Sequence, residues 1–405
     1  YMIFTTVLGH RLSGKQSNIK DFFLGGKTLP WWSVSGSMIA TEISALTFIG
    51  VPGMVFAMEG DWTYLQWGFG SVIARFAVAY WLIPLYYEKE IYSPYDFMGN
   101  RLGEGARRLV TGLFALGSIL GQSVRVLVTA IILQVVTGMD VPLCIVIIGA
   151  VAILWTFMGG MQTVIWTDVI QFCLFIFGGV LALSLLVGEL GWSQIVELNQ
   201  VTIDGSDKDK LTWLDFTSPF QDPALRYTMW VALIAMPFQN FTAFGIDQLN
   251  TQRMFCCGNV KDARKAMCWS SISIIVTVLM LAVGAGLFAW YRVYEPSGLI
   301  ATSFEKSNNV FPTWITMEVA PGLSGLILAG AFAAAISSLD SILAALSQAS
   351  LSVFYGRDKL EAAGKGREMV RLSRIVVCVW GVILTAAGLG LWVVYKKNPD
   401  SDLIG

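Results

Sequence analysis

The segment Ala333-Ala334-Ala335-Ile336-Ser337-Ser338-Leu339-Asp340-Ser341 sets three hydroxyls and a carboxylate inside an otherwise apolar run. Residues three and four apart share a helix face, so Ser337, Asp340 and Ser341 point the same way. An acid at membrane depth costs at least about 2.5–3.5 kcal/mol unless something compensates, which makes an ion site the default reading. The face offers only oxygen ligands, and these suit a hard alkali cation. A second acid, Glu42, lies in Ser37-Met38-Ile39-Ala40-Thr41-Glu42-Ile43-Ser44-Ala45-Leu46-Thr47-Phe48-Ile49-Gly50, with Pro52 and Gly53 following. Irregular backbone in hydrocarbon is tolerated only where it lines a cavity or is buried in protein, so polar interruptions of this kind locate a binding centre. A break here frees the carbonyls of Ala40 and Ile43 for a cation, and the half-helix beginning near Ser44 aims partial positive charge at a solute.

Other polar groups lie within apolar stretches. Met236-Pro237-Phe238-Gln239-Asn240-Phe241-Thr242-Ala243-Phe244-Gly245 reads as a second broken span, with a proline-kinked helix as the alternative. Arg125, in Leu120-Gly121-Gln122-Ser123-Val124-Arg125-Val126, either grips a carboxylate bidentately or pairs with an acid on another helix. Arg75 either snorkels or makes such a pair, and is assigned no substrate role. Asp168 caps the start of a helix or sits at the same depth as Asp340.

The chain has 405 residues, 55% hydrophobic and 14% charged, with a mean hydropathy of +0.63. Soluble domains carry about 25% charged residues, so lipid is the main solvent here. A net charge of −1 and the lack of a long basic tract set nucleic acid aside as a partner. Cys144, Cys173, Cys256, Cys257, Cys268 and Cys378 show no metal-binding spacing and read as small buried hydrophobes. The single histidine, His10, stands beside Arg11 at the end of the first apolar stretch, and no nucleophile–base pair or metal constellation appears, so an enzyme is a poor reading. No organic cofactor and no obligate protein partner are implied.

Apolar runs long enough to span recur at about residues 30–57, 63–87, 106–137, 141–158, 163–188, 226–250, 266–292, 322–355 and 374–396, with a helix fragment at 1–9. Lys and Arg concentrate in alternate loops, as in Arg11, Lys15, Lys20 and Lys27, or Arg253, Lys261, Arg264 and Lys265. The positive-inside rule then starts the fragment outside a plasma or bacterial inner membrane. The polar stretch 189–225, centred on Gly205-Ser206-Asp207-Lys208-Asp209-Lys210, divides one transmembrane domain, 1–405, into a first repeat (30–188) and an incomplete second (226–405), with a tenth core helix expected beyond the end. The expected class is an all-α integral membrane protein.

Particular motifs carry a resemblance. Asp21-Phe22-Phe23-Leu24-Gly25-Gly26-Lys27 with Pro30-Trp31-Trp32, Gly159-Gly160-Met161-Gln162-Thr163 followed by Trp166-Thr167-Asp168-Val169-Ile170-Gln171, then Gln252-Arg253 and Ser337-Ser338, together resemble the sodium:solute symporter family. The resemblance implies a leucine-transporter-like fold of two inverted five-helix repeats plus an extra N-terminal helix. It implies a main sodium site from the carbonyls of Ala40, Ile43 and Ala334 and the hydroxyls of Ser337 and Ser338, with Glu42 nearby at a place where the proline branch has an aspartate. A second sodium site, as in the sialic acid branch, matches Asp168, Ser337, Asp340 and Ser341, with Asp340 replacing a hydroxyl; one or two coupling ions follow. Substrate candidates are Ser44, Thr47, Gln66, Gln122, Arg125, Gln239 and Asn240. Thr47-Phe48 with Asp61-Trp62-Thr63 is similar to the sialic acid branch, whose third helix bears a carboxylate-binding arginine, here matched by Arg125. The sugar branch's aromatic inner gate is replaced by Ala243. The expected function is sodium-coupled import of a carboxylate-bearing solute, such as a sialic acid or a monocarboxylate. A neutral sugar is second, and a transporter-like solute-sensing receptor is the alternative from another class.

Overall fold

The computed structural model describes residues 16–89, 93–203, 205–218, 227–294, 309–360 and 366–397, with the isolated positions 7, 11, 91 and 307. His10, the fragment 1–9 apart from Val7, and the last residues of the chain lie outside these.

A short helix α1 (Ile19–Leu24) is capped by Asn18, whose side chain accepts from the Asp21 amide. It leads through Gly25 and Gly26, both at positive φ, to α2 (Trp31–Glu42). Helix α2 stops at Ile43 (φ −74°, ψ 126°), and α3 (Ala45–Phe56) restarts after Ser44 (φ −126°, ψ 175°), at an angle of 53°. Long helices follow: α4 (Thr63–Glu88), then α5 (Pro94–Leu102), α6 (Glu104–Thr137) and α7 (Val141–Leu190). The 50 residues of α7 are two membrane crossings joined at Gly160, where φ is +55° and ψ −155°. A Cβ there would stand 2.3 Å from the Phe22 carbonyl oxygen, so α1 seats directly on the kink.

The polar connection holds α8 (Trp192–Leu198) and an antiparallel hairpin, β1 (Gln200–Ile203) with β2 (Ser206–Asp209). This hairpin is a small addition to an otherwise helical fold. Hydrophilic residues flanking Gly205 (φ +77°) pair backbone with backbone where no apolar stripe favours a helix. Just after it, the buried Lys210 donates to the carbonyls of Ala57 (2.5 Å), Met58 (3.1 Å) and Gly60 (2.9 Å). Its ammonium thereby holds the carbonyl end of α3, where the helix dipole favours a cation.

Beyond the connection come α9 (Val231–Gly245), α10 (Gln248–Met254), α11 (Val260–Tyr294), an outer helix α12 (Val310–Met317), α13 (Leu323–Leu360) and α14 (Gly366–Lys397). The break expected between Pro237 and Gly245 is absent. A wide π-turn at 231–235 precedes Pro237, which falls in the first turn of the α-helical segment, where its missing N–H costs little. The interruption comes two residues later than Gly245, at Asp247, whose carboxylate caps α10 by accepting from the Leu249 amide at 2.7 Å. Helix α13 is the central rod, buried along most of its length against α2, α3, α6, α7, α10 and α14. Of the cysteines, Cys144, Cys256 and Cys257 are buried, whereas Cys173 faces outward on α7.

Gly160→Ala should destabilise the protein by about 1–3 kcal/mol through the left-handed backbone and the clash with Phe22. Gly112→Ala, with open space around its α-carbon, should be neutral or slightly stabilising. Thermal unfolding in detergent separates the two.

Candidate sodium and solute sites

At the α2–α3 break the backbone bonds are diverted. A continuous helix would send the Ser44 amide to the Ala40 carbonyl and the Thr47 amide to the Ile43 carbonyl. Instead the Ser44 amide donates to Thr47 Oγ1 at 3.4 Å, and the Thr47 amide donates to the Ser44 carbonyl at 2.9 Å. Both carbonyls therefore lose their regular donors while their residues stay buried. Helix α13 crosses both half-helices, and Ile43 and Ala334 belong to one apolar cluster. On α13, Ser338 Oγ lies 3.4 Å from the Ala334 carbonyl oxygen, and Ser337 and Ser338 are fully buried.

One turn toward the start of α2 is a polar cluster with no exposed member. Asp168 accepts from Ser37 Oγ and Ser337 Oγ, each at 2.5 Å, and pairs with Arg253 Nη2 at 3.3 Å. Arg253 Nε donates to Ser37 Oγ at 2.9 Å, its Nη1 to the Leu249 carbonyl at 2.5 Å, and its Nη2 to Ser341 Oγ. Ser341 also lies 3.2 Å from Asp340 Oδ1, while Asp340 Oδ2 is buried without a partner. Thus α2, α7, α10 and α13 meet through side chains of Ser37, Asp168, Arg253, Ser337, Asp340 and Ser341. Asp168 is not a helix cap: it lies two turns inside the second half of α7. The sequence places Arg253 in a Gln-Arg motif and among the basic residues of a loop; the structure instead buries it fully on α10. Two acids at one depth were the available signal, because buried carboxylates require a cation.

The solute candidates separate into distinct places. Ser44 and Thr47 form the capping box of α3. Gln66 is fully buried and committed to the polar connection, donating to the Tyr227 carbonyl at 2.9 Å and accepting from the Asp215 amide at 3.2 Å. Gln122 and Arg125 share one face of α6, with Gln122 Oε1 and Arg125 Nη1 both buried and unpartnered. The acid that acts on Arg125 is Asp247, at the α9–α10 break. Gln239 is exposed, and Asn240 bonds back to the Met236 carbonyl at 2.9 Å.

Asn240 and Glu42 line a cavity of about 120 Å³ between α2, α4, α9 and α11. Its far wall carries Arg75, which donates to Glu42 Oε2, to the Ser270 carbonyl and, at 3.0 Å, to Ser273 Oγ. The guanidinium also stacks on Phe244, 4.3 Å from the ring centre. Arg75 therefore makes an ion pair and does not snorkel.

Discontinuous helices crossed by a hydroxyl-rich rod define a leucine-transporter-like secondary transporter. A model of the sodium:solute symporter family matches residues 22–391, and the chain belongs to that family. It is an integral membrane, sodium-coupled symporter of a small solute and not an enzyme. The sodium/sialic acid symporter SiaT of Proteus mirabilis is 27% identical over 99% of this chain and 78% of the relative. NanT of Aliivibrio fischeri, also a sodium/sialic acid symporter, is 25% identical over 93% of this chain and 72% of the relative. The solved substrate-bound, outward-open state of a Na+-coupled sialic acid symporter superposes with a TM-score of 0.84 at 26% identity, covering 97% of this chain and 81% of that one.

Removing one member of the Asp168–Arg253 pair strands a buried charge, so Arg253→Gln should cost about 3–5 kcal/mol. Asp168→Asn combined with Arg253→Gln should cost clearly less than the two single changes added together. A double-mutant cycle by denaturant unfolding checks this, and additive costs would contradict the pairing.

Proposed function

We propose that this symporter imports a small carboxylate-bearing solute, with a sialic acid or a monocarboxylate as first choice, by alternating access driven by one or two sodium ions. The observation that carries the sodium part is the diversion of the Ser44 and Thr47 amides, which leaves the Ala40 and Ile43 carbonyls without their helical donors in half-helices that pack against the rod bearing Ser337 and Ser338. Hydrocarbon surroundings do not tolerate idle carbonyls, so a cation bound by Ala40, Ile43, Ala334, Ser337 and Ser338 stabilises the joined arrangement of α2, α3 and α13. Each sodium ion moving inward gains about 2.3 kcal/mol per 100 mV. Release into a low-sodium cytoplasm lets the two parts separate.

A second ion finds support in charge counting. When Asp168 and Asp340 are both ionised, the single guanidinium of Arg253 leaves the cluster one positive charge short. A sodium ion among Asp168, Ser337, Asp340 and Ser341 supplies it, and Asp340 strengthens the demand relative to a hydroxyl.

Basic loops assign the end where α2 begins to the cytoplasm. Hydrogen bonds tie that end together. Gln252 Nε2 donates to the Phe23 carbonyl at 3.0 Å, the Leu29 amide to the Cys256 carbonyl at 3.3 Å, and Tyr87 to the Met254 carbonyl at 2.7 Å. An inner end held together in this way fits the loading half of the cycle.

The carboxylate preference rests on guanidinium groups at membrane depth, Arg125 with the unpartnered Gln122 beside it and Arg75 in the cavity with Asn240. The test is uptake by proteoliposomes with an imposed sodium gradient, using sialic acid, pyruvate and glucose. Accumulation of at least one acid in sodium but not potassium is expected, and its loss in Ser337→Ala/Ser338→Ala. Uptake of glucose alone would favour the sugar reading, and saturable binding without uptake the receptor reading.

A further inference from the structure

The Glu42–Arg75 pair is unequal in a way that points to its use. The Arg75 side chain is 1% exposed, whereas that of Glu42 is 33% exposed and faces the cavity. Arg75 is held from behind by the Ser270 carbonyl, Ser273 Oγ and the Phe244 ring, so it has little freedom to follow a departing partner. Its Nε is buried with no hydrogen-bond partner, as are Ser71 Oγ and Ser271 Oγ on the same cavity wall. A fixed guanidinium, unused donors around it and a replaceable carboxylate at the open side describe an anion site filled by a residue of the chain itself. Arg125 lies outside the lining of this cavity.

We infer that the carboxylate of the solute binds Arg75 in exchange for Glu42, and that the displaced Glu42 is what makes solute binding depend on sodium. The inference rests on the reading of the solute as a carboxylate and names the residues that receive it. The exchange brings in one extra negative charge. Before it, Glu42 neutralises Arg75; afterwards the solute neutralises Arg75, and Glu42 is left ionised with no counter-ion. Glu42 immediately precedes Ile43, whose carbonyl is a candidate sodium ligand at the break, so sodium there supplies the missing positive charge. The solute thereby favours sodium, and sodium favours the solute by the same factor, as linkage requires. Tyr64 and Trp67 also wall the cavity.

The test is equilibrium dialysis of radiolabelled sialic acid and pyruvate, with glucose as the neutral control. It uses the full chain in detergent, in sodium or in potassium at equal ionic strength. Sodium should raise the affinity of the wild-type protein for its acid by about tenfold or more. Glu42→Gln should bind the same acid in potassium about tenfold more tightly than wild type, and its sodium stimulation should fall below about threefold. Glu42→Gln/Arg75→Gln, which leaves no stranded charge, should lose the acid while keeping its unfolding temperature. Full sodium stimulation in Glu42→Gln would overturn the exchange alone, leaving the symport reading standing. So would wild-type acid binding in the double variant together with its loss in Arg125→Gln. Failure of both acids to bind wild type in sodium would remove the carboxylate reading, and the exchange with it.

Discussion

Backbone groups that a membrane will not hydrate must find partners within the protein, and the interruption at Ile43 and Ser44 is where this chain departs from that economy. Regular helices satisfy their own amides and carbonyls, which is why nearly all of the bundle is helical. At the break, Thr47 diverts the Ser44 amide, and the carbonyls of the buried Ala40 and Ile43 are left without their helical donors. Helix α13, buried along most of its length, packs against both half-helices of this interruption and carries the buried hydroxyls of Ser337 and Ser338.

Charge imposes the second constraint. The described spans carry several acids and arginines, and the structure joins two pairs across helices: Glu42 with Arg75 and Asp168 with Arg253. Each pair links segments that belong to different parts of the bundle. Asp340 is the exception, a buried carboxylate with one oxygen unpartnered. Such pairs contribute little net stability compared with apolar packing, but each fixes which helices are neighbours and makes their separation costly. Those properties suit a transporter that must change between a small number of discrete arrangements.

Much of this was legible in the residues. Span positions followed from the length of apolar runs, because hydrocarbon thickness sets a minimum. The first break followed from Glu42, Ser44 and Thr47 clustered ahead of Pro52. The second break was misplaced, since Pro237 drew attention although a π-turn accommodates it, and the actual interruption at Asp247 is marked only by a capping acid. Pairing could not be read from one sequence: Arg75 and Glu42 are far apart in the chain, as are Arg253 and Asp168, and only the fold decides which acid meets which base. The β-hairpin was hidden because two short polar strands have no apolar alternation to announce them.

The central claim is that sodium joins the interrupted α2–α3 segment to α13. Hydrogen exchange of the purified chain, compared in sodium and in potassium, reads this directly at the amides of residues 43–48 and 334–341. The account predicts slower exchange in both segments together in sodium, with the half-saturating concentration the same for the two. Protection unchanged by sodium in either segment would contradict it.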